Sequence, residues 1–184
     1  MIIYLHGFNS SPQSHKAQVF ARAMAERGLG ARYACPALPP RASDAIAEIE
    51  RLRPDGGTCF VGSSLGGYYA TYLAEKHEAR AVLLNPAIVP HLGLRAYLGE
   101  QKNLHTGEPY QLTEAHLREW QALWVPRVTP SRYLLIVETG DEVLDYRQAV
   151  ARYAGAGQVV IEGGDHSLQS FPRHLPRILT FAGL

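Results

Sequence analysis

Thr58-Cys59-Phe60-Val61-Gly62-Ser63-Ser64-Leu65-Gly66-Gly67-Tyr68 is the stretch on which the reading of this chain turns. Its first half is an apolar, β-branched and aromatic run that reads as a strand over about 58–62, and its second half opens a helical pattern. At the junction, Gly62, Ser64 and Gly66 form a G-x-S-x-G motif. In a chain with 17 glycines that motif alone is a weak signal. Its position gives it weight. On a tight strand-to-helix turn the central serine sits on a strained elbow, with its hydroxyl projecting past the end of the strand. Glycines at 62 and 66 suit such a turn, because a Cβ at either place would crowd the neighbouring backbone. The competing reading, a phosphate-binding helix start, lacks both a P-loop lysine and a second glycine fingerprint. Ser64 is therefore the candidate nucleophile.

Working outward, further short apolar runs lie at about 2–5, 31–35, 81–85, 133–138 and 158–162. Several are apolar almost throughout, as parallel strands covered on both faces are. Helical patterns separate them. Ser11 before Pro12 reads as an N-cap, Ser43 precedes a stripe of Ile46, Ile49 and Leu52, and Asp145 with Gln148 resembles a capping box before a helix ending near Gly155. Six alternations predict a single α/β domain over 1–184: a six-stranded parallel sheet in the order 2-1-3-4-5-6, with helices on both faces. The order reverses between the first and third strands, so a site is expected in that crevice.

The segment 88–129 breaks the rhythm, with about forty residues where one crossover helix would suffice. It carries Leu92, Leu94, Tyr97 and Leu98, a hydrophilic turn around Gly107 and Pro109, then Leu117, Trp120, Leu123 and Trp124 at helical spacing. Two readings compete: extra helices packed on the sheet, or a cap or lid over the site. The lid reading is preferred on length. It places Trp120 and Trp124 with Phe8 in the substrate pocket.

Composition sets the class. With 46% hydrophobic and 19% charged residues the chain can fill a core, which excludes a disordered protein. Eighteen basic against seventeen acidic side chains leave no charge with which to attract nucleic acid or anionic lipid. Cys35 and Cys59 are too few for a disulfide scaffold and have no partners for a zinc site. No apolar run approaches the roughly 20 residues of a membrane span, and the start at Ile2-Ile3-Tyr4-Leu5 lacks the features of a signal peptide. A cytoplasmic protein without membrane or nucleic-acid partners is the expectation.

A serine hydroxyl needs a base to take its proton, and the base needs an acid to orient it. Both are expected at the ends of later strands. After the strand at 133–138 comes Thr139-Gly140-Asp141-Glu142, and after that at 158–162 comes Gly163-Gly164-Asp165-His166. His166 is the candidate base and Asp141 the candidate acid. Asp145 is the rival acid, although its spacing before Gln148 suits a helix cap better, and Asp165 stands too close to the base in sequence. The oxyanion hole is assigned to two backbone N–H groups, those of Leu65 after the nucleophile and Phe8 after Gly7. His6 reads as a structural histidine that holds this loop, since no metal ligands accompany it.

Longer blocks carry a resemblance. Tyr4-Leu5-His6-Gly7-Phe8-Asn9-Ser10-Ser11-Pro12, Val61-Gly62-Ser63-Ser64-Leu65-Gly66-Gly67-Tyr68-Tyr69-Ala70-Thr71, and Thr139-Gly140-Asp141-Glu142-Val143-Leu144-Asp145-Tyr146-Arg147-Gln148-Ala149-Val150 resemble the YqiA-like small bacterial esterases. Ile161-Glu162-Gly163-Gly164 before His166 is similar too. The resemblance spans nearly the whole chain. It implies an α/β-hydrolase fold, activity on small acyl esters or thioesters, no cofactor and no metal, with Ser64, Asp141 and His166 as the triad. An acyl-carrier or acyl-CoA thioesterase, and a non-catalytic ligand-binding protein on the same scaffold, are the alternatives. By comparison with larger α/β-hydrolases, the resemblance leads one to expect a sheet without their first two strands, whose edge a homo-oligomer could cover.

Overall fold

The structure, a computed structural model, describes every residue from Met1 to Leu184. In chain order the strands are β1 (Ile2–Leu5), β2 (Tyr33–Ala34), β3 (Cys59–Ser63), β4 (Arg80–Leu84), β5 (Gly99–Lys102), β6 (Pro109–Leu112), β7 (Tyr133–Glu138) and β8 (Gly157–Ile161). The helices are α1 (His15–Glu26), α2 (Ala42–Glu50), α3 (Leu65–Lys76), α4 (Pro90–Gly93), α5 (Glu114–Ala122), α6 (Tyr146–Arg152) and α7 (Phe171–Ala182). Six strands form a parallel sheet in the order β2-β1-β3-β4-β7-β8, and β5 and β6 pair apart from it as an antiparallel hairpin. The hairpin shifts the numbering from the expected 2-1-3-4-5-6. With it set aside, the strands of the main sheet follow the expected succession.

Strand periodicity sorts the side chains into two cores. Ile3, Leu5, Phe60, Leu83, Leu135 and Val137 pack with α2, α3, α5 and α6 on one face. Their alternating neighbours Ile2, Tyr4, Val61, Val82, Leu84 and Ile136 pack with α1 and α7 on the other. Because both faces are covered, the central strands carry no polar side. That is why they read as continuous apolar runs.

Three local expectations change. The strand expected at 31–35 shrinks to two residues, because Gly30–Arg32 forms a 3-10 turn first. Helix α1 starts at His15 instead of beside Pro12. The Ser11 hydroxyl oxygen accepts the Gln13 N–H at 3.1 Å and closes a turn of its own, so it cannot cap the helix. Between β4 and β7, the two expected helices become the one-turn α4, a 3-10 turn at Leu94–Tyr97, the β5–β6 hairpin and α5. The hydrophilic turn foreseen near Gly107 lies in the hairpin loop, where the Asn103 side chain accepts the N–H groups of His105 and Thr106. No helix is long and apolar enough to cross a membrane.

Candidate active site

Ser64 occupies the junction between β3 and α3 with φ 55° and ψ −120°. This is a left-handed-side conformation costing about 1–3 kcal/mol for a non-glycine residue. The surroundings enforce it. The Ser64 N–H donates to the Leu84 carbonyl at 3.0 Å, and its carbonyl accepts the N–H groups of Gly67 and Ala87. A Cβ at Gly62 would lie 2.2 Å from the Gly66 carbonyl oxygen, and one at Gly66 would lie 2.0 Å from that of Leu5. Only glycine at both places lets α3 descend this closely onto the sheet.

The serine hydroxyl lies 3.1 Å from His166 Nε2, and His166 Nδ1 lies 2.8 Å from Asp141 Oδ2. Since a carboxylate only accepts, the imidazole proton sits on Nδ1, and the Nε2 lone pair faces the serine. The Asp141 carboxyl is 2% exposed, and its other oxygen accepts the N–H groups of Val143 and Leu144 at 2.8 Å each. Two backbone donors and one ring donor thus fix the carboxylate. Asp145 stands apart from this chain: it precedes α6 and caps it, accepting the Arg147 N–H at 3.0 Å. The Asp165 carboxylate accepts from the Gln169 amide on the loop itself.

Phe8 and Leu65 border the serine from either side. Leu65 is the first residue of α3, so its N–H has no preceding helical turn to bond to. Gly7 lies so near that a Cβ on it would come within 3.3 Å of Ser64 Cβ, which brings the following Phe8 backbone to the same place. His6 holds this loop. Its Nε2 accepts the Leu38 N–H at 3.1 Å, so the proton is on Nδ1 and is donated to the Gly7 carbonyl at 3.1 Å. Burial lowers its pKa, in keeping with a neutral ring.

A cavity of about 1220 Å³ opens over Ser64 and His166. Part of its lining is apolar, from Phe8 and from Ile88, Val89, Leu92, Leu94 and Tyr97 of the insertion, and part is polar, from Ser14, His15 and Lys16 at the start of α1. Neither tryptophan lines it. Trp120 is fully buried, with Nε1–H donating to the Tyr69 hydroxyl at 2.7 Å and its carbonyl accepting from the Tyr68 hydroxyl. It touches the site only by packing edge-on behind the Phe8 ring. Trp124 lies outside the cavity, stacked under the Arg152 guanidinium. Both pocket assignments are therefore corrected: α5 turns its apolar stripe into the core, and the apolar lining comes from the shorter turns before the hairpin.

Two site residues escaped the sequence reading. Asn85 and Glu138 are polar yet 3% and 2% exposed, and they close the C-terminal ends of β4 and β7 beside the base loop. The available signal was a polar residue ending an otherwise apolar strand, on the sheet edge where the loops converge.

A parallel sheet reversing between β1 and β3, with a strained serine elbow after β3 and acid and histidine loops after β7 and β8, is the α/β-hydrolase fold. Within that class, the chain belongs to the Uncharacterised protein family (UPF0227), which it matches over residues 1–183, the family of the YqiA-like proteins its sequence blocks resemble. Solved structures share the fold at low identity. A putative hydrolase from Agrobacterium vitis S4 is 20% identical with a TM-score of 0.77, over 98% of this chain and 87% of that one. Alpha/beta hydrolase domain-containing protein 10 from mouse is 15% identical with a TM-score of 0.69, over 99% and 88%. The esterase domain of a Rhodothermus marinus protein is 16% identical with a TM-score of 0.65, over 99% and 84%.

Proposed function

We propose that this protein is a serine hydrolase cleaving carboxylic ester or acyl thioester bonds of small acyl substrates through an acyl-enzyme. The observation that carries the reading is the continuous hydrogen-bonded chain from Asp141 through His166 to Ser64. The strain held at Ser64 agrees with it, since backbone strain of this kind clusters at functional sites. Similarity to folds named as a hydrolase and an esterase domain agrees with it.

In this mechanism the Ser64 oxygen attacks the carbonyl carbon while His166 Nε2 takes its proton. Asp141 keeps the imidazole in the required tautomer and stabilises the imidazolium. The N–H groups of Phe8 and Leu65 receive the oxyanion, a contribution of about 10²–10³-fold per donor in comparable sites. His166 then passes the proton to the departing alkoxide or thiolate. Water, deprotonated by the same nitrogen, releases the acid and restores Ser64. The apolar wall from Ile88 to Tyr97 receives the acyl group. Both cysteines are free thiols, which fits a reducing, cytoplasmic setting.

A fluorophosphonate probe tests the reading directly. It should label the peptide containing Ser64, and Ser64→Ala should abolish labelling and lower ester hydrolysis by at least ~10⁴-fold. Ser63→Ala should remain labelled. Labelling that persists in the Ser64 variant defeats the assignment.

A further inference from the structure

We propose that Glu138 and Asn85 are positioning residues, a buried carboxylate–carboxamide clamp that holds His166 in register with Ser64. The inference rests on the serine-hydrolase reading for its functional meaning, but its geometry stands apart from it. Glu138 Oε2 accepts the Asp165 N–H at 2.9 Å, and Oε1 accepts the Ser170 N–H at 3.2 Å and the Ser170 hydroxyl at 2.5 Å. One carboxylate thus grips the base loop on both sides of His166. Asn85 works from the next strand over. Its Nδ2 donates to the carbonyls of Asp165 at 3.0 Å and His166 at 3.3 Å, while its Oδ1 accepts the Glu138 N–H at 3.0 Å. The Asn85 N–H donates to the Ile136 carbonyl at 3.0 Å, so this one residue spans β7 to reach the loop beyond it.

The loop is shaped around the clamp. Gly164 has φ +73°, and a Cβ there would lie 2.1 Å from Glu138 Oε2; the carboxylate fills the space any side chain would need. Outside the clamp, Lys16 Nζ donates to the Ser167 carbonyl at 2.6 Å, and the His166 N–H donates to Glu142 Oε2 at 3.0 Å. Neither Glu138 nor Asn85 bonds to Ser64 or to the imidazole, so they act through the backbone that carries the ring. Bonds to a buried carboxylate are the strong, charge-assisted kind. Catalysis is sensitive to their loss, because a displacement of about 1 Å at a reacting group costs on the order of 10²-fold.

The test is Glu138→Gln, which keeps size but turns one acceptor oxygen into an NH₂ facing a donor. For a short ester, kcat should fall by about 10–10²-fold with KM within about twofold of wild type. The low-field proton resonance of His166 Nδ1–H, assigned by its loss in His166→Ala, should weaken or vanish. A merely structural role would lower the melting temperature and leave both the resonance and kcat untouched in the folded variant. That result overturns the proposal. If Glu138→Gln does not fold, Ser170→Ala asks the same question: it removes the hydroxyl that bonds Glu138 Oε1 and His174 Nε2, and it leaves the carboxylate paired to the N–H groups of Asp165 and Ser170. A fall in kcat with KM unchanged supports the clamp, and wild-type kcat with an unaltered resonance overturns it. The resonance needs no turnover. A protein that hydrolyses no ester and takes no fluorophosphonate would therefore refute the serine-hydrolase reading while the clamp remained separately measurable.

Discussion

The two sides of the cavity over Ser64 are built to opposite specifications. On the side of the elbow and base loop, several directional bonds hold the carboxylates of Asp141 and Glu138 and the Asn85 amide, Asp165 Oδ1 alone being buried without a partner there. The backbone on this side is forced into left-handed conformations at Ser64, Asn85, Gly163, Gly164 and Leu168. On the side of the insertion, the wall is a one-turn helix and a 3-10 turn, with Leu92 61% and Tyr97 51% exposed. The difference follows from what each side touches. Reacting atoms need fixed geometry, which takes many directional bonds. An acyl chain needs only apolar surface and room, which short apolar turns provide. Changes on the first side should therefore act on turnover, and changes on the second on substrate choice.

After the loss expected for Ser64→Ala, the largest effect is that of Asp141→Asn. The variant keeps an oxygen for the N–H groups of Val143 and Leu144 but turns an NH₂ toward His166 Nδ1, which imposes the wrong tautomer. Turnover should drop by about 10²–10⁴-fold. Asp145→Asn should stay near wild type, because asparagine caps a helix about as well as aspartate. The reverse ranking in steady-state kinetics would make Asp145 the acid and break the assignment.

Next comes Trp120, which marks the boundary between the two sides. It supports Phe8 from behind while belonging to the core. Trp120→Ala should cost about 3–5 kcal/mol in urea unfolding, with the acyl-length preference of the folded enzyme retained. A changed length preference at unchanged stability would return this residue to the pocket.

Trp120 also shows where the sequence stopped being legible. The helical spacing of Leu117, Trp120 and Leu123 marks one apolar face, but a face buried in the core and a face over a pocket have the same period. The central strands β1, β3, β4 and β7 were readable because burial on both sides makes them apolar almost throughout. Ser64 and Asp141 follow two of these, whereas His166 follows the half-exposed edge strand β8 and was marked by its place in the loop after the last strand. The β5–β6 hairpin was not. Its strands, Gly99–Lys102 and Pro109–Leu112, are polar and largely outside the core, so hydrophobic periodicity had little to mark. Asn85 and Glu138 were hidden for a related reason: their worth lies in bonds to a loop some 27 to 81 positions away in the chain, which no local pattern records.

A smaller effect should appear in stability against pH. His6 is buried and neutral, and burial lowers its pKa below the ordinary value of 6.5. In acid the unfolded chain binds the proton more readily than the folded one. The His6 contribution is therefore complete above about pH 6.5 and is lost as pH falls from there through the lowered folded value. His174, also lowered by burial and by Arg177, contributes with the same sign. The quantity to measure is thus the difference between wild type and His6→Asn in urea melts across that window. Parallel curves would mean that His6 does not hold the Gly7–Phe8 loop as a neutral ring.

The smallest effect sharpens the comparison from its other side. Leu92 lines the mouth of the cavity and is mostly exposed, so Leu92→Ser removes little folding energy and touches no group that carries the reaction. Short esters such as acetate should be hydrolysed at the wild-type rate, because their acyl group ends close to Ser64. A chain long enough to reach the rim loses the burial of its outer methylenes there, each worth about 0.8 kcal/mol, or roughly fourfold in kcat/KM. The profile across graded p-nitrophenyl esters should therefore coincide with wild type at short lengths and fall below it only beyond the length that reaches Leu92. An equal loss for acetate and for long chains would mean that the insertion governs the geometry of the reacting atoms as well, and the division between the two walls would fail.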